Sequence, residues 1–122
     1  MADRRGISGR ALARKGSTLG TPPFILHASV STTEATLVSN LDFKIRVVDM
    51  WCNATGGSSC GAVTLTDGTN TIATTASMSG DKDIGRADEI DDAYYEVDKD
   101  GKLAATVASS GTGELYVLCV RV

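Results

Sequence analysis

The sequence has few of the residues on which catalytic, disulfide-rich and membrane-spanning proteins depend. Its 122 residues include one histidine, three cysteines, one tryptophan, three tyrosines and two phenylalanines. No stretch approaches the roughly 18 to 20 continuous apolar residues that cross a bilayer. These shortages argue against an enzyme built on imidazole chemistry, against a disulfide framework and against a membrane-spanning protein.

The cysteines, Cys52, Cys60 and Cys119, form an odd and sparse set, and we expect reduced thiols in a cytosolic fold. Cys52 and Cys60 bracket a loop at residues 53–59, so a bond across that loop in an oxidising compartment stays open. Their spacing is not that of a zinc knuckle, and only one histidine could complete a tetrahedral set. We therefore predict no metal and no cofactor.

No catalytic set can be assembled from the remaining residues. His27 follows an apolar run and precedes nothing that resembles a nucleophile turn, so we expect a partly exposed residue at a strand end. Carboxylates are abundant, but glycosidase chemistry needs two at a defined separation, and aromatic platforms for sugar are lacking. Residues 96–107 begin like a calcium loop, but Val107 stands where a bidentate glutamate is required. We predict that the protein is not an enzyme.

Charge is divided unevenly along the chain. Residues 1–15 carry five basic residues and one acidic residue, a net charge of +4, whereas residues 16–122 carry a net charge of −7. The basic residues are Arg4, Arg5, Arg10, Arg14 and Lys15. The segment has too little apolar surface to fold alone. We predict a flexible basic N-terminal arm at residues 1–23, followed by one domain at residues 24–122.

An arm of this kind typically binds something outside its own domain, and its five cations are the predicted partner-binding residues. No aromatic residue is interleaved among them for base stacking, which disfavours a dedicated single-strand binder. We therefore favour the acidic surface of another protein. Nucleic acid is the less favoured alternative, and an unused tail is a third; no membrane contact is predicted.

The body has the composition and periodicity of short strands. Residues 41–52 alternate, which places Phe43, Ile45, Val47, Asp49 and Trp51 on one face of a strand. Residues 62–74 predict a hairpin with a tight turn at Asp67-Gly68.

Further along, a short helical turn at residues 88–93 is an open possibility. Asp100-Gly101 predicts another turn, followed by a strand at residues 102–108. The last strand, residues 114–122, is apolar on both faces, so it is central and buried or is covered by another subunit. Regular turn signals between short strands predict an all-β fold, a single β-sandwich or jelly-roll-like domain with an extended N-terminal arm.

Four segments of the body resemble the small head decoration, or capsid cement, proteins of tailed bacteriophages. They are Val47–Cys52, Val63–Gly68, Ile90–Tyr94 and Leu115–Val122. The resemblance covers roughly residues 41–122 and does not extend into the arm, and it carries over no catalytic residue. It implies a structural virion protein, made in the host cytoplasm, that sits on the outer surface of the capsid.

The resemblance further implies that the protein stabilises the shell by bridging subunits of the major capsid protein, with the N-terminal extension as a tether. It also implies a homo-oligomer, with a trimer favoured and a dimer as the alternative. Two other functions stay open from the residues alone. One is a coat-type protein whose basic arm contacts nucleic acid, and the other is a small non-catalytic β-sandwich that binds carbohydrate or another ligand.

Overall fold

The computed structural model describes residues 22–56, 60–91 and 93–122, which form nine antiparallel β-strands. The strands are β1 (Phe24–Val30), β2 (Ala35–Val38), β3 (Ile45–Gly56), β4 (Val63–Thr66), β5 (Thr71–Thr75), β6 (Ile84–Ile90), β7 (Glu96–Val97), β8 (Leu103–Val107) and β9 (Thr112–Arg121). Because none of the described residues is helical, they contain no helix that is long and apolar enough to cross a membrane. The prediction of an all-β fold is confirmed.

The strands form one sheet that rolls into a nearly closed barrel. Their order is β1-β9-β3-β6-β5-β4-β8-β2, and β7 pairs with the first residues of β3 beside this path. The edge strands β1 and β2 approach each other without forming a ladder. A backbone hydrogen bond of 2.8 Å from the Val107 N–H to the Ser31 carbonyl joins β8 to the end of β1.

The apolar side chains of alternate strand positions fill the barrel. The largest fully buried ones include Ile45, Met50, Leu65, Ile72, Leu103 and Leu115. Each such side chain gains roughly 1.5–3 kcal/mol by leaving water, so burial of one face of every strand is the main force that closes the sheet. The last strand, β9, lies between β1 and β3 as predicted for a central strand, with one face in this core.

A bulge at Val48 interrupts the alternation of β3. Val47 and Asp49 pair with consecutive residues of β9, so Val48 is an extra residue without a partner. Before the bulge the odd-numbered residues face the core, and after it the even-numbered residues do. The predicted placement of Asp49 and Trp51 on the same face as Ile45 is therefore wrong, because both side chains lie on the outer face.

The β4–β5 hairpin is where the sequence places it, but its turn is longer than the predicted two residues. Thr66 pairs with Thr71, which leaves four residues in the connection. The Asp67 carboxylate accepts hydrogen bonds from the N–H groups of Thr69 at 2.9 Å and Asn70 at 2.6 Å. This side chain closes the turn, so a positive φ angle is needed only at Gly68.

The helical turn considered at residues 88–93 is wrong for the part of it that the structure describes, because β6 runs through to Ile90. Two steps along β5 there correspond to three steps along β6, since Ala73 pairs with Ile90 and Thr75 with Ala87. This irregularity separates two core-facing residues of β6 by three positions. A spacing of three is also typical of a helix, which explains the ambiguous pattern.

We expect Gly113→Ala to lower the free energy of unfolding by about 1–3 kcal/mol, the usual cost of overpacking a filled interior. A Cβ at Gly113 would lie 2.6 Å from the Cys52 sulfur and 3.0 Å from the Asn53 carbonyl oxygen. Gly56→Ala is the control, because its Cβ would meet the rotatable hydroxyl of Thr112 at 3.1 Å. Urea denaturation measures the free energy of unfolding of both variants. Equal denaturation midpoints for the two would contradict the expectation.

Candidate interaction surface

Four side chains form a row across the outer face of the sheet, one from each of the neighbouring strands β1, β9, β3 and β6. His27 pairs with Tyr116, Tyr116 with Trp51, and Trp51 with Arg86. We call this row the ladder. Its members come from distant parts of the chain, and the bulge at Val48 turns Trp51 outward to join them.

The rings of the ladder are packed against one another. The centroids of His27 and Tyr116 are 5.9 Å apart, as are those of Tyr116 and Trp51, with interplanar angles of 30° and 16°. The guanidinium carbon of Arg86 lies 5.8 Å from the centroid of Trp51. Aromatic pairs contribute about 0.5–1.5 kcal/mol each and exposed cation–π contacts about 0.5–1 kcal/mol. These contacts therefore favour one arrangement of the four side chains.

Asp49 anchors the cationic end of the ladder. Its Oδ2 atom accepts a hydrogen bond of 2.6 Å from Nη2 of Arg86, and its Oδ1 atom accepts one of 2.8 Å from the Met50 N–H. The hydrogen bond from Arg86, assisted by that from Met50, holds the pKa of Asp49 below its usual value despite partial burial. The same bond raises the pKa of Arg86.

Two rows of residues flank the ladder on the same four strands. Together with the ladder they form what we call the ladder face: Ile25, Leu118 and Asp49 on one side, and Ser29, Glu114, Asn53 and Ile84 on the other. Ile25 is 49% exposed and Ile84 is 66% exposed, and the Ser29 hydroxyl donates to the Glu114 carboxylate. The face therefore combines aromatic, apolar and charged groups, a mixture that is usual in protein-binding surfaces.

The packing of the rings limits what the ladder can bind. A sugar or a nucleobase stacks on the open face of an aromatic ring. Tyr116 lies between His27 and Trp51, and Trp51 lies between Tyr116 and Arg86, so these ring faces are partly covered by their neighbours. The ladder is therefore less suited to stacking than open rings would be, and its ring edges remain available for contact with other side chains.

A second charged cluster joins β3 to β7. Nη2 of Arg46 lies 2.6 Å from Glu96, whose other oxygen lies 3.3 Å from Nζ of Lys44. The hydrogen bond from Arg46 keeps the pKa of Glu96 below its usual value, and Lys44 acts in the same direction. The guanidinium of Arg46 also lies 5.3 Å from the ring centroid of Tyr95. These contacts tie the short strand β7 to the sheet.

An acidic cavity of about 300 Å³ lies between β5 and β6. Its lining consists of Thr71, Ile72, Ala73, Thr74, Asp88, Glu89 and Asp91. Within residues 22–56, 60–91 and 93–122, no group of three or more His, Cys, Asp or Glu side chains is arranged to hold a metal ion.

The structure places the other candidate residues as follows. The arm residues Arg4, Arg5, Arg10, Arg14 and Lys15 lie outside the described part of the chain. His27 lies in the middle of β1 and not at a strand end, because β1 continues to Val30. The three cysteines are buried and free. The ladder was not predicted from the sequence, because its local signal was only the alternating pattern of each separate strand.

Comparison with known proteins identifies a shared fold and no family. No protein-family model matches the chain, and neither does any curated protein. A chain in the acid-stable capsid structure of Helicobacter pylori bacteriophage KHP30 is similar, with a TM-score of 0.52, 16% sequence identity, and coverage of 80% of this chain and 86% of that chain. At this identity the likeness shows the fold, which therefore also occurs in a phage capsid structure.

A second solved structure, of disulfide-linked pili that form Bacillus endospore appendages, is less similar. Its TM-score is 0.46 at 11% identity, with coverage of 83% of this chain and 85% of that chain. This likeness is too distant to carry an argument.

We expect Asp49→Asn to lower the free energy of unfolding at pH 7 by less than about 1 kcal/mol, as is usual for partly exposed ion pairs. The pKa of Asp49 is lower in the folded protein than the roughly 3.9 of an unfolded chain. Its contribution is therefore present above about pH 4 and is lost as the pH falls through the folded-state value. Asp88→Asn is the control, as Asp88 has no ion pair among the described residues. If Asp49→Asn remained less stable than the parent protein well below the folded-state pKa of Asp49, this expectation would be contradicted.

We expect all three cysteines to be unreactive in the native protein. Burial raises the pKa of Cys52 and of Cys119 to about 12, and it also raises the pKa of Cys60. Because the thiolate is the reacting form, a disulfide reagent at about pH 8 should find no fast thiol before unfolding. It should find three thiols in denaturant. Rapid reaction of even one thiol in the native protein would contradict this expectation.

Proposed function

We propose that the chain is a structural virion protein that binds the outside of a bacteriophage capsid and stabilises it by bridging major capsid subunits. The observation that carries the proposal is the ladder face, an exposed surface built around Trp51, Tyr116 and Arg86. These residue types dominate the energetics of protein interfaces. The fold that presents them is one that also occurs in a phage capsid structure.

The protein has no catalytic role in this proposal and acts only through its surfaces. The charge of the body supports a place outside the shell, because residues 16–122 carry a net charge of −7 and would be repelled by packaged nucleic acid. The partly covered ring faces of the ladder disfavour the carbohydrate-binding alternative. The protein would be made in the host cytoplasm and would become part of the virion surface.

The basic arm is the proposed tether. Its cations, Arg4, Arg5, Arg10, Arg14 and Lys15, give it a net charge of +4 with which to contact acidic capsid surfaces. A molecule that binds the assembled shell in preference to free subunits stabilises the shell by mass action. Weak contacts suffice, because symmetry repeats them at high effective concentration. Copies of the chain would also associate with one another, as a trimer or a dimer.

The test compares the full chain with a version that begins at Thr21, using expanded, undecorated phage shells and double-stranded DNA. We expect the full chain to sediment with shells and not with DNA, and removal of the arm to weaken shell binding at least about tenfold. Binding should decline as salt increases, because exposed charges are screened. Replacing the five arm cations by Gln should reproduce the loss.

The control variant replaces Lys82 and Lys99, two exposed cations of the body, by Gln and should bind shells normally. Equal binding by the full and the shortened chain would show that the arm is not the tether. If the full chain bound DNA and ignored shells, the proposal would be overturned in favour of the coat-type alternative.

A further inference from the structure

We propose that the ladder face is the surface through which two copies of this chain pair. The inference deepens the proposed function and rests on it in one respect: a pair carries two basic arms, which gives one unit the two attachments that bridging requires.

Two polar groups of the ladder, the Trp51 indole N–H and the Tyr116 hydroxyl, have no hydrogen-bond partner within the described part of the chain. Hydrogen bonds there involve Arg86, Ser29 and Glu114 on this face, but none involves the side chains of Trp51 or Tyr116. Both side chains are only half-buried, on a surface that carries apolar and polar groups side by side. Tyr and Trp in such positions usually combine apolar contact with a hydrogen bond at the ring edge. A second protein surface would supply both.

The charge of the ladder face favours it over the rest of the surface for contact with a second copy. The chain from residue 16 onward carries a net charge of −7, so two copies repel each other over most of their surface. On the ladder face, Asp49 is paired with Arg86 and the Glu114 carboxylate accepts a hydrogen bond from Ser29. The face has one cation against two anions, a formal charge of only −1. Two copies can therefore approach here with little repulsion.

The same face offers groups of both hydrogen-bonding types to an identical face. Arg86, Trp51 and Tyr116 provide donors, and Glu114 and Asn53 provide acceptors. Two identical faces related by a two-fold axis form a closed pair, which does not continue into a filament. Sheets commonly pack face to face in this way, about 10 Å apart.

The dimensions of the ladder face predict a weak pair. Four strands at about 4.8 Å and five residues at about 3.4 Å span roughly 19 Å by 17 Å. This gives on the order of 300–500 Å² of surface per copy, against about 800 Å² per partner in a standard stable interface. We therefore expect a dissociation constant of about 10 μM to 1 mM, which suffices where copies are concentrated on a shell.

Trp51 is the one tryptophan of the chain, so its fluorescence reports on the ladder face alone. The experiment measures the mass of the full chain by sedimentation from about 5 μM to 1 mM, with emission and acrylamide quenching on the same samples. We expect the mass to rise from one chain to two. Over the same concentrations, the Trp51 emission should shift to the blue and its quenching should decrease.

Two exposed positions on the edge strands offer a matched pair of variants. Ile25→Glu adds a charge to the ladder face on β1, and Thr36→Glu adds the same charge on β2, away from that face. We expect Ile25→Glu to weaken pairing at least about tenfold and Thr36→Glu to leave it unchanged. Tyr116→Thr, which removes the middle ring, should weaken pairing as well. Circular dichroism and thermal unfolding verify that each variant is folded.

The proposal is overturned if the mass stays at one chain throughout, if three chains associate, or if the mass doubles without a change at Trp51. It is also overturned if folded Ile25→Glu and Tyr116→Thr pair like the parent chain. A chain that pairs through the ladder face but ignores shells contradicts the proposed function alone. A monomeric chain that binds shells contradicts the pairing alone.

Discussion

The extra residue at Val48 determines which side chains of β3 reach the surface. Ile45 and Val47 face the core before it, and the alternation then reverses, so that Asp49 and Trp51 face outward. A strand that kept its period would bury the Trp51 ring and the Asp49 carboxylate, and an isolated buried carboxylate is costly. The bulge therefore protects the core and at the same time supplies the outer face with the ring and the carboxylate on which the ladder depends.

The ladder joins four strands that are far apart in sequence, and its packing decides its chemistry. The ring faces of Tyr116 and Trp51 are partly covered by their neighbours, which leaves less room for a stacked sugar or base. Arg86 contacts both a ring and Asp49, and these contacts restrict its side chain and lower the entropy that binding would cost. Such preorganisation makes even a small interface useful in a structure where the contact is repeated many times.

Local signals predicted much of the barrel. The hairpin at residues 62–74 and the turn at Asp100-Gly101 were identified from their turn residues, because such residues act over only a few positions. Two details that were predicted wrongly, the length of one turn and a helical turn, depend on hydrogen bonds and strand pairing that the local pattern does not reveal. The turn after β4 is longer because the Asp67 carboxylate bonds two backbone N–H groups, and the helix-like spacing in β6 comes from an irregular pairing with β5.

The amino-acid sequence by itself determined the all-β class, most strand positions and the separation of a basic segment from an acidic body. Composition and short-range periodicity are properties of neighbouring residues, so they can be seen without the fold. Tertiary structure alone decided that His27, Tyr116, Trp51 and Arg86 form one row. Their alignment depends on the register of β1, β9, β3 and β6 and on the bulge at Val48. That register is set by hydrogen bonding between distant strands and by burial of their shared inner face.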